Sequence, residues 1–69
     1  MKNIERAKTF LYICDYFGYC KGKKYYITRV NSSDSNYVAK QAYVPNDAIH
    51  AFTLKEMSAK LSAHTPKVS

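Results

Sequence analysis

Four side chains in this chain of 69 residues could bind a soft metal ion: Cys14, Cys20, His50 and His64. Five residues separate the two cysteines, and thirteen separate the two histidines. Structural zinc sites usually hold their Cys and His ligands in close pairs along the chain. This spacing therefore predicts no metal site, and two such cysteines predict no disulfide framework.

Nucleophilic catalysis needs a nucleophile, a base and an orienting group within hydrogen-bond reach of one another. Cys14 with His50, or Ser32 with His50 and Asp47, could supply such groups, but no local motif brings them together. Both glycines are isolated, so the chain has no phosphate-binding loop. The acids are scattered, at Glu5, Asp15, Asp34, Asp47 and Glu56. We therefore predict that the protein is not an enzyme and uses no cofactor.

Lysine and tyrosine side chains between residues 21 and 43 favour binding chemistry instead. Lysine can contact phosphates, and tyrosine can stack on bases or anchor a protein interface. The chain as a whole carries 11 Lys and Arg against 5 Asp and Glu, a net charge of +6, which favours an acidic partner. Only Arg6 and Arg29 are arginines. Because arginine makes the commonest specific contact to guanine, this scarcity disfavours a protein that recognises a specific base sequence.

The first element predicted to position these groups is a helix over Ile4–Phe17. Apolar residues recur at the spacing of one helical face, at Ile4, Ala7, Leu11 and Cys14. Asn3 would cap the start of this helix, and Gly18 would end it with a positive φ. Tyr12 and Tyr16, four residues apart, would then lie together on one flank.

The stretch that follows predicts an antiparallel hairpin, because two runs rich in tyrosine and β-branched residues flank a polar loop. The expected strands are Lys24–Val30 and Tyr37–Val44, with the loop at Asn31–Asn36. Pro45–Asp47 has the composition of a turn. Ala48–Phe52 could form a short third strand or a helical turn, and we favour the strand because a two-stranded hairpin is only marginally stable.

Alternation of side chains leaves open which face of this sheet is buried. On the first strand Ile27 falls with Tyr25 and Arg29, and the other face carries Tyr26, Thr28 and Val30. On the second strand Lys40 shares its face with apolar residues, at Val38, Ala42 and Val44. Either one face holds a charge among apolar groups, or a bulge resets the register.

A second helix, over about residues 54–64, is predicted from its start signals. Thr53 and Glu56 fit a capping box, in which the hydroxyl accepts from the N3 amide and the glutamate reaches back to the cap. Phe52 and Met57 fit the flanking hydrophobic staple. Pro66 should end the helix near His64.

These elements predict one α+β domain over residues 1–69. Its parts would be an N-terminal helix at about 4–17, an antiparallel hairpin or three-stranded sheet at about 24–52, a helix at about 54–64 and a frayed tail at 65–69. The order α-β-β-(β)-α and the length are similar to those of the double-stranded-RNA-binding domain. That family places adjacent lysines at the start of its last helix, where this chain has TLKEMSAK with Lys55 and Lys60. The family's glycine-rich turn with a histidine is replaced here by NSSDSN, so the resemblance implies the order of elements and no function.

The function expected from these observations is that of a small, non-enzymatic regulatory binding protein. Its size class is that of phage and mobile-element antirepressors and inhibitors, which dock onto a nucleic-acid-handling protein such as a transcription repressor. The residues expected to bind the partner are Tyr12, Tyr16, Lys21, Lys23, Lys24, Tyr25, Tyr26 and Arg29. The alternative is a DNA- or RNA-binding module that uses the hairpin directly.

No membrane and no small-molecule substrate is expected as a partner. The chain has no apolar run near the ~18 residues of a membrane span. Its N-terminus, MKNIERAK, lacks the apolar segment of a signal peptide, so a cytoplasmic location is expected.

Overall fold

The structure is a computed structural model that describes residues 3–7 and 14–68. Those residues form an antiparallel sheet of five strands, in the spatial order β1-β2-β3-β4-β5, followed by a C-terminal helix. The strands are β1 (Ile4–Arg6), β2 (Tyr16–Cys20), β3 (Lys23–Arg29), β4 (Tyr37–Gln41) and β5 (Val44–Ala51), and the helix is α1 (Leu54–Ala63). Sequential strands are neighbours, so the sheet is a meander with β1 and β5 at its edges. Within the described ranges, no helix combines the length and the apolar character that crossing a membrane requires.

The predicted helix over Ile4–Phe17 is wrong, and the α-β-β-(β)-α order is wrong with it. Both ends of that segment are strands, in which Ile4 pairs with Gly18 and Arg6 pairs with Tyr16. Residues 8–13 lie outside the described part of the chain. Tyr16 to Cys20 combines aromatic side chains with antiparallel pairing to both β1 and β3, and such pairing overrides a weak helical periodicity.

Asn3 has a different role from the predicted N-cap. Its Nδ2 donates to the Ser58 carbonyl at 2.9 Å, and its Oδ1 accepts from the Ser58 hydroxyl. Its own carbonyl accepts from the Tyr19 amide at 2.9 Å. Asn3 therefore ties α1 to the first two strands.

A two-residue turn joins β2 to β3. Lys21 and Gly22 have φ values of 50° and 81°. Two successive positive φ values define the type I′ hairpin turn, in which glycine is favoured because it lacks a Cβ. Cys20 and Lys23 are consequently paired across the turn.

The pairing of β3 with β4 confirms the hairpin, with Tyr26 opposite Lys40 and Arg29 opposite Tyr37. Its second strand was predicted too long, because β4 ends at Gln41 and Val44 begins β5.

A strand is present where the third strand was predicted, but it is β5, it begins at Val44 rather than at residue 48, and it is the fifth strand of the sheet. The predicted hairpin or three-stranded sheet is therefore wrong in its number of strands. The turn predicted at residues 45–47 is therefore wrong, because these residues belong to β5. Proline is tolerated in β5 because this strand lies at an edge of the sheet.

Burial resolves which face of the sheet points inward. Tyr25, Ile27 and Ala39 are buried in a cluster that includes Met57 and Leu61 of α1, and we call this side the core face. We call the opposite side the open face. By the strand register it carries Glu5, Phe17, Tyr19, Lys24, Tyr26, Thr28, Val38, Lys40, Ala48 and His50.

Both explanations considered for Lys40, a charge on an apolar face and a bulge that resets the register, apply. It lies beside Val38 on the open face, where its charge remains exposed. A register shift between Lys40 and Gln41 then returns Val44 to a buried position. The bulge thus separates an exposed lysine from the apolar residues that follow it.

The start of α1 confirms the predicted N-cap. Thr53 Oγ1 accepts from the Glu56 amide at 3.0 Å, and Glu56 Oε1 accepts from the Phe52 amide at 2.7 Å. The glutamate therefore reaches one residue beyond the cap itself. Met57 and Leu61 are fully buried on the sheet side of the helix, whereas Phe52 is 49% exposed.

We expect Thr53→Ala to lower the free energy of unfolding by about 1 kcal/mol, because the Glu56 amide loses its acceptor. Urea denaturation followed by circular dichroism measures this change. Thr65→Ala, at an exposed position after the helix, is the matched control and should leave the midpoint unchanged. Equal midpoints for the two variants would show that the cap contributes nothing.

Candidate functional site

Asp47 lies at the centre of the most concentrated polar cluster in the structure, and it is fully buried. Its Oδ2 accepts from the Tyr25 hydroxyl at 2.7 Å, from Gln41 Nε2 at 2.7 Å and from the Lys67 amide at 3.0 Å. Its Oδ1 lies 2.7 Å from His64 Nε2. An ionised carboxylate only accepts hydrogen bonds, so Nε2 carries the proton.

The electrostatics of the cluster keep Asp47 ionised. Burial raises the pKa of Asp47, but hydrogen bonds from Tyr25, Gln41, Lys67 and His64 together hold this pKa well below its ordinary value. Burial, the hydrogen bond to Asp47 and the charge of Asp47 all raise the pKa of the Tyr25 hydroxyl, which remains a donor. The cluster therefore joins β3, β4 and β5 to the segment after α1. That segment includes Lys67, which lies in the tail that was predicted to fray.

The combination of Ser32, His50 and Asp47 suggested by the sequence is not assembled. Asp47 bonds His64 rather than His50, whose Nδ1 lies 3.4 Å from Ser35 Oγ. Ser32 Oγ accepts from the amide of the residue two positions later. In the part of the chain that the structure describes, no three His, Cys, Asp or Glu side chains are placed to hold a metal ion.

The eight residues predicted to bind a partner do not form one surface. Tyr25 is buried in the core, and its hydroxyl is bonded to Asp47. Tyr16 is half-buried on the core face, with its ring edge-on to Tyr37 at a centroid distance of 6.3 Å. Tyr12 lies outside the described residues. None of these three tyrosines is therefore described as an exposed side chain on the open face.

The predicted cations are also divided between different parts of the surface. Lys21, in the β2–β3 turn, donates from Nζ to the His64 carbonyl at 2.9 Å. Lys23 and Arg29 are exposed at opposite ends of β3, on the side of the core face. The guanidinium carbon of Arg29 lies 5.8 Å from the centroid of the Tyr37 ring.

Lys24 and Tyr26 are the predicted residues that the structure brings together on the open face. Lys24 Nζ lies 4.1 Å from the centroid of the Phe17 ring, at the distance of a cation–π contact. The Phe17 and Tyr26 rings pack edge-on at 5.6 Å. Lys40 is directly opposite Tyr26 in the register, so this part of the open face carries two lysines and two aromatic rings.

A groove of about 580 Å³ crosses the open face beside this group, and we call it the β3–β4 groove. Its described lining is mostly aliphatic or neutral, and Lys40 is the charged residue among those described. Burial raises the pKa of the Cys14 thiol, and the negative charge of neighbouring Asp15 raises it further. The thiol therefore stays neutral and weakly nucleophilic. The groove is lined by Cys14, Tyr26, Thr28, Val30, Val38, Lys40, Gln41 and Ala42.

Val38 and Lys40 were missing from the residues predicted to bind a partner. The sequence did contain a signal for them: Lys40 is the one charged residue on the otherwise apolar face of the predicted second strand. A lysine in such a pattern marks the face that stays in contact with water.

Comparisons with family models, with characterised proteins and with solved structures find no match to this chain.

Proposed function

We propose that this protein is a small, non-enzymatic regulatory protein that acts inside the cell by docking its open face onto another protein. One observation supports this proposal most strongly: exposed Lys40, half-exposed Tyr26 and the aliphatic β3–β4 groove adjoin on the face opposite α1. Buried apolar contacts with a charged rim are the usual composition of a protein interface. The described His–Asp pair, by contrast, is engaged in holding the fold together.

The partner class that we propose is a nucleic-acid-handling protein, such as a transcription repressor, whose activity docking would alter. Two features support this class. The chain is as short as the antirepressors and inhibitors of phages and mobile elements, and its net charge of +6 favours an acidic patch on the partner. Complementary charge of this kind mainly accelerates association.

Direct binding of DNA or RNA is the second candidate, and the sharing of one face by Lys24, Tyr26 and Lys40 favours it. Such a face could contact phosphates and stack on a base. The adjoining groove is lined by aliphatic side chains such as Val30 and Val38, which suit an apolar protein side chain better than a flat base. The burial of Tyr25 also removes one of the tyrosines on which stacking was expected. We therefore favour docking onto a protein.

Affinity capture from the native cell, with and without nuclease, tests this proposal. We expect the captured partner to survive nuclease treatment, and we expect Lys24→Glu/Lys40→Glu to abolish its capture. The matched control is Lys23→Glu/Lys55→Glu, which makes the same change of charge at exposed positions away from the open face. Loss of all captured material after nuclease would favour direct nucleic-acid binding, and equal losses for both variants would show that docking does not use the open face.

A further inference from the structure

The β3–β4 groove has the composition of a seat for an apolar side chain. Val30, Val38 and Ala42 contribute aliphatic groups, and Tyr26 contributes part of its ring. Val38 and Tyr26 are half-buried, so each retains apolar surface that a ligand could cover. Burial of one leucine-sized side chain in such a site corresponds to about a tenfold gain in affinity or more.

Among the described residues, the lining of the groove itself carries a positive charge, whereas Asp15 adjoins it beside Cys14. Lys40 is exposed on the wall of the groove, and none of the lining residues that the structure describes is an acid. The nearest described acids are hydrogen-bonded: Glu5 accepts from the Tyr19 hydroxyl, and Asp15 accepts from the Arg29 amide. A ligand with carboxylates beside its apolar side chain would therefore complement the groove and its rim.

We infer that the β3–β4 groove binds an acidic segment of the partner protein, with one aliphatic side chain in the groove and flanking carboxylates near Lys40. This inference rests on the proposed docking function, and it adds the chemistry of the segment that is recognised. The aliphatic lining selects the apolar residue, and the lysine selects the acidic residues beside it. Charge–charge contacts at such an exposed rim are weak, so the apolar residue supplies most of the affinity.

The direct test uses fluorescein-labelled synthetic peptides and fluorescence anisotropy. We expect the peptide GEDLDEG to bind about tenfold more tightly than GEDSDEG, which lacks the apolar side chain. The neutral peptide GQNLNQG should bind more weakly than GEDLDEG at low salt, and the difference should shrink at high salt. Equal binding of GEDLDEG and GEDSDEG, or no binding of either peptide, would overturn the inference.

Two matched pairs of variants locate the binding site. Val38→Thr keeps the shape of the side chain but places a hydroxyl in the groove, and it should weaken binding of GEDLDEG about threefold or more. Val68→Thr makes the same change at an exposed position and should have no effect. Lys40→Ala should weaken binding about twofold to fivefold, whereas Lys55→Ala on α1 should not. Equal effects within both pairs would place the peptide elsewhere and overturn the inference.

Two further outcomes separate the inference from the proposed function. If a ten-nucleotide poly-dT strand binds more tightly than GEDLDEG and displaces it, the groove belongs to a nucleic-acid site and the inference fails. If the peptides do not bind but capture of the partner still depends on Lys24 and Lys40, docking stands and the acidic-segment inference fails. The comparison of GEDLDEG with GEDSDEG uses the unaltered protein, so it does not depend on whether any variant folds.

Discussion

Asp47→Ala is expected to lower the free energy of unfolding by about 3 kcal/mol or more. The substitution removes the acceptor of four hydrogen bonds, from Tyr25, Gln41, His64 and the Lys67 amide. A buried donor left without a partner costs about 1–3 kcal/mol, and hydrogen bonds to a charged group are the stronger ones. Such a loss is a large share of the ~5–15 kcal/mol that stabilises a typical domain. Urea denaturation measures it.

The control for this prediction is Asp34→Ala, which removes an exposed carboxylate from the β3–β4 loop. It should leave the midpoint nearly unchanged. Tyr25→Phe removes one of the four donors and should cost less than Asp47→Ala. In the double variant the two losses should not add, because both changes break the same contact. Equal midpoints for Asp47→Ala and Asp34→Ala would refute the role assigned to the cluster.

The same cluster predicts how stability depends on pH. The pKa of Asp47 in the folded protein lies below its ordinary value of 3.8, so the unfolded chain takes up the proton first as the pH falls. The stabilisation is therefore complete at neutral pH and is lost progressively below about pH 5. Asp47→Asn should flatten this acid limb of the curve of unfolding free energy against pH. An unchanged acid limb in Asp47→Asn would contradict the lowered pKa.

Leu61→Ala has the second largest expected effect, a loss of about 2–5 kcal/mol. Leu61 is fully buried where α1 crosses β2, and truncation leaves a cavity between the helix and the sheet. Leu54→Ala, at a half-exposed position in the first turn of the same helix, is the control and should cost less. Urea denaturation of the two variants gives the comparison.

Gly18 provides an internal test of the same contact. A Cβ built on Gly18 would lie 2.6 Å from Leu61 Cδ1 and 3.0 Å from Ile27 Cδ1, so Gly18→Ala should cost about 1–3 kcal/mol through crowding. In the Leu61→Ala background the closer of these contacts is absent, and Gly18→Ala should cost less. An identical penalty in both backgrounds would show that Leu61 does not pack on Gly18.

Local signals predicted the start of α1 and the hairpin of β3 and β4. Thr53 and Glu56 set the start of α1 by direct hydrogen bonds over three residues, and polar loop residues marked the β3–β4 hairpin. The helical spacing of apolar residues over Ile4–Phe17 concealed β1 and β2, although β2 pairs with β3 across a turn of only two residues. Apolar residues at helical spacing also fit strands when tertiary pairing supports them.

Asp47 shows why local composition misled the prediction of a turn. Pro45, Asn46 and Asp47 are turn-forming residue types, yet they continue an edge strand. The carboxylate of Asp47 is buried because donors from β3, β4 and the segment after α1 converge on it. No pattern within a few residues of Asp47 could reveal that convergence.

The candidate site was predicted in part. Lys24 and Tyr26 were identified from composition, but adjacent Tyr25 and Tyr26 could not be distinguished while the inward face of β3 was unknown. Lys40 was noticed as an anomaly in its strand and not as a binding residue. The choice of face depends on where α1 packs, and this is a tertiary contact.

The most direct measurement of the central claim is a ¹H–¹⁵N correlation spectrum of the labelled protein, recorded while the purified, nuclease-treated partner is added. Our account predicts that the largest changes will occur at open-face residues of β3 and β4, at Tyr26, Val38 and Lys40. The exposed side of α1, including Lys55, should be unaffected. The opposite pattern, with changes concentrated on α1 and none at Tyr26, Val38 or Lys40, would contradict docking through the open face.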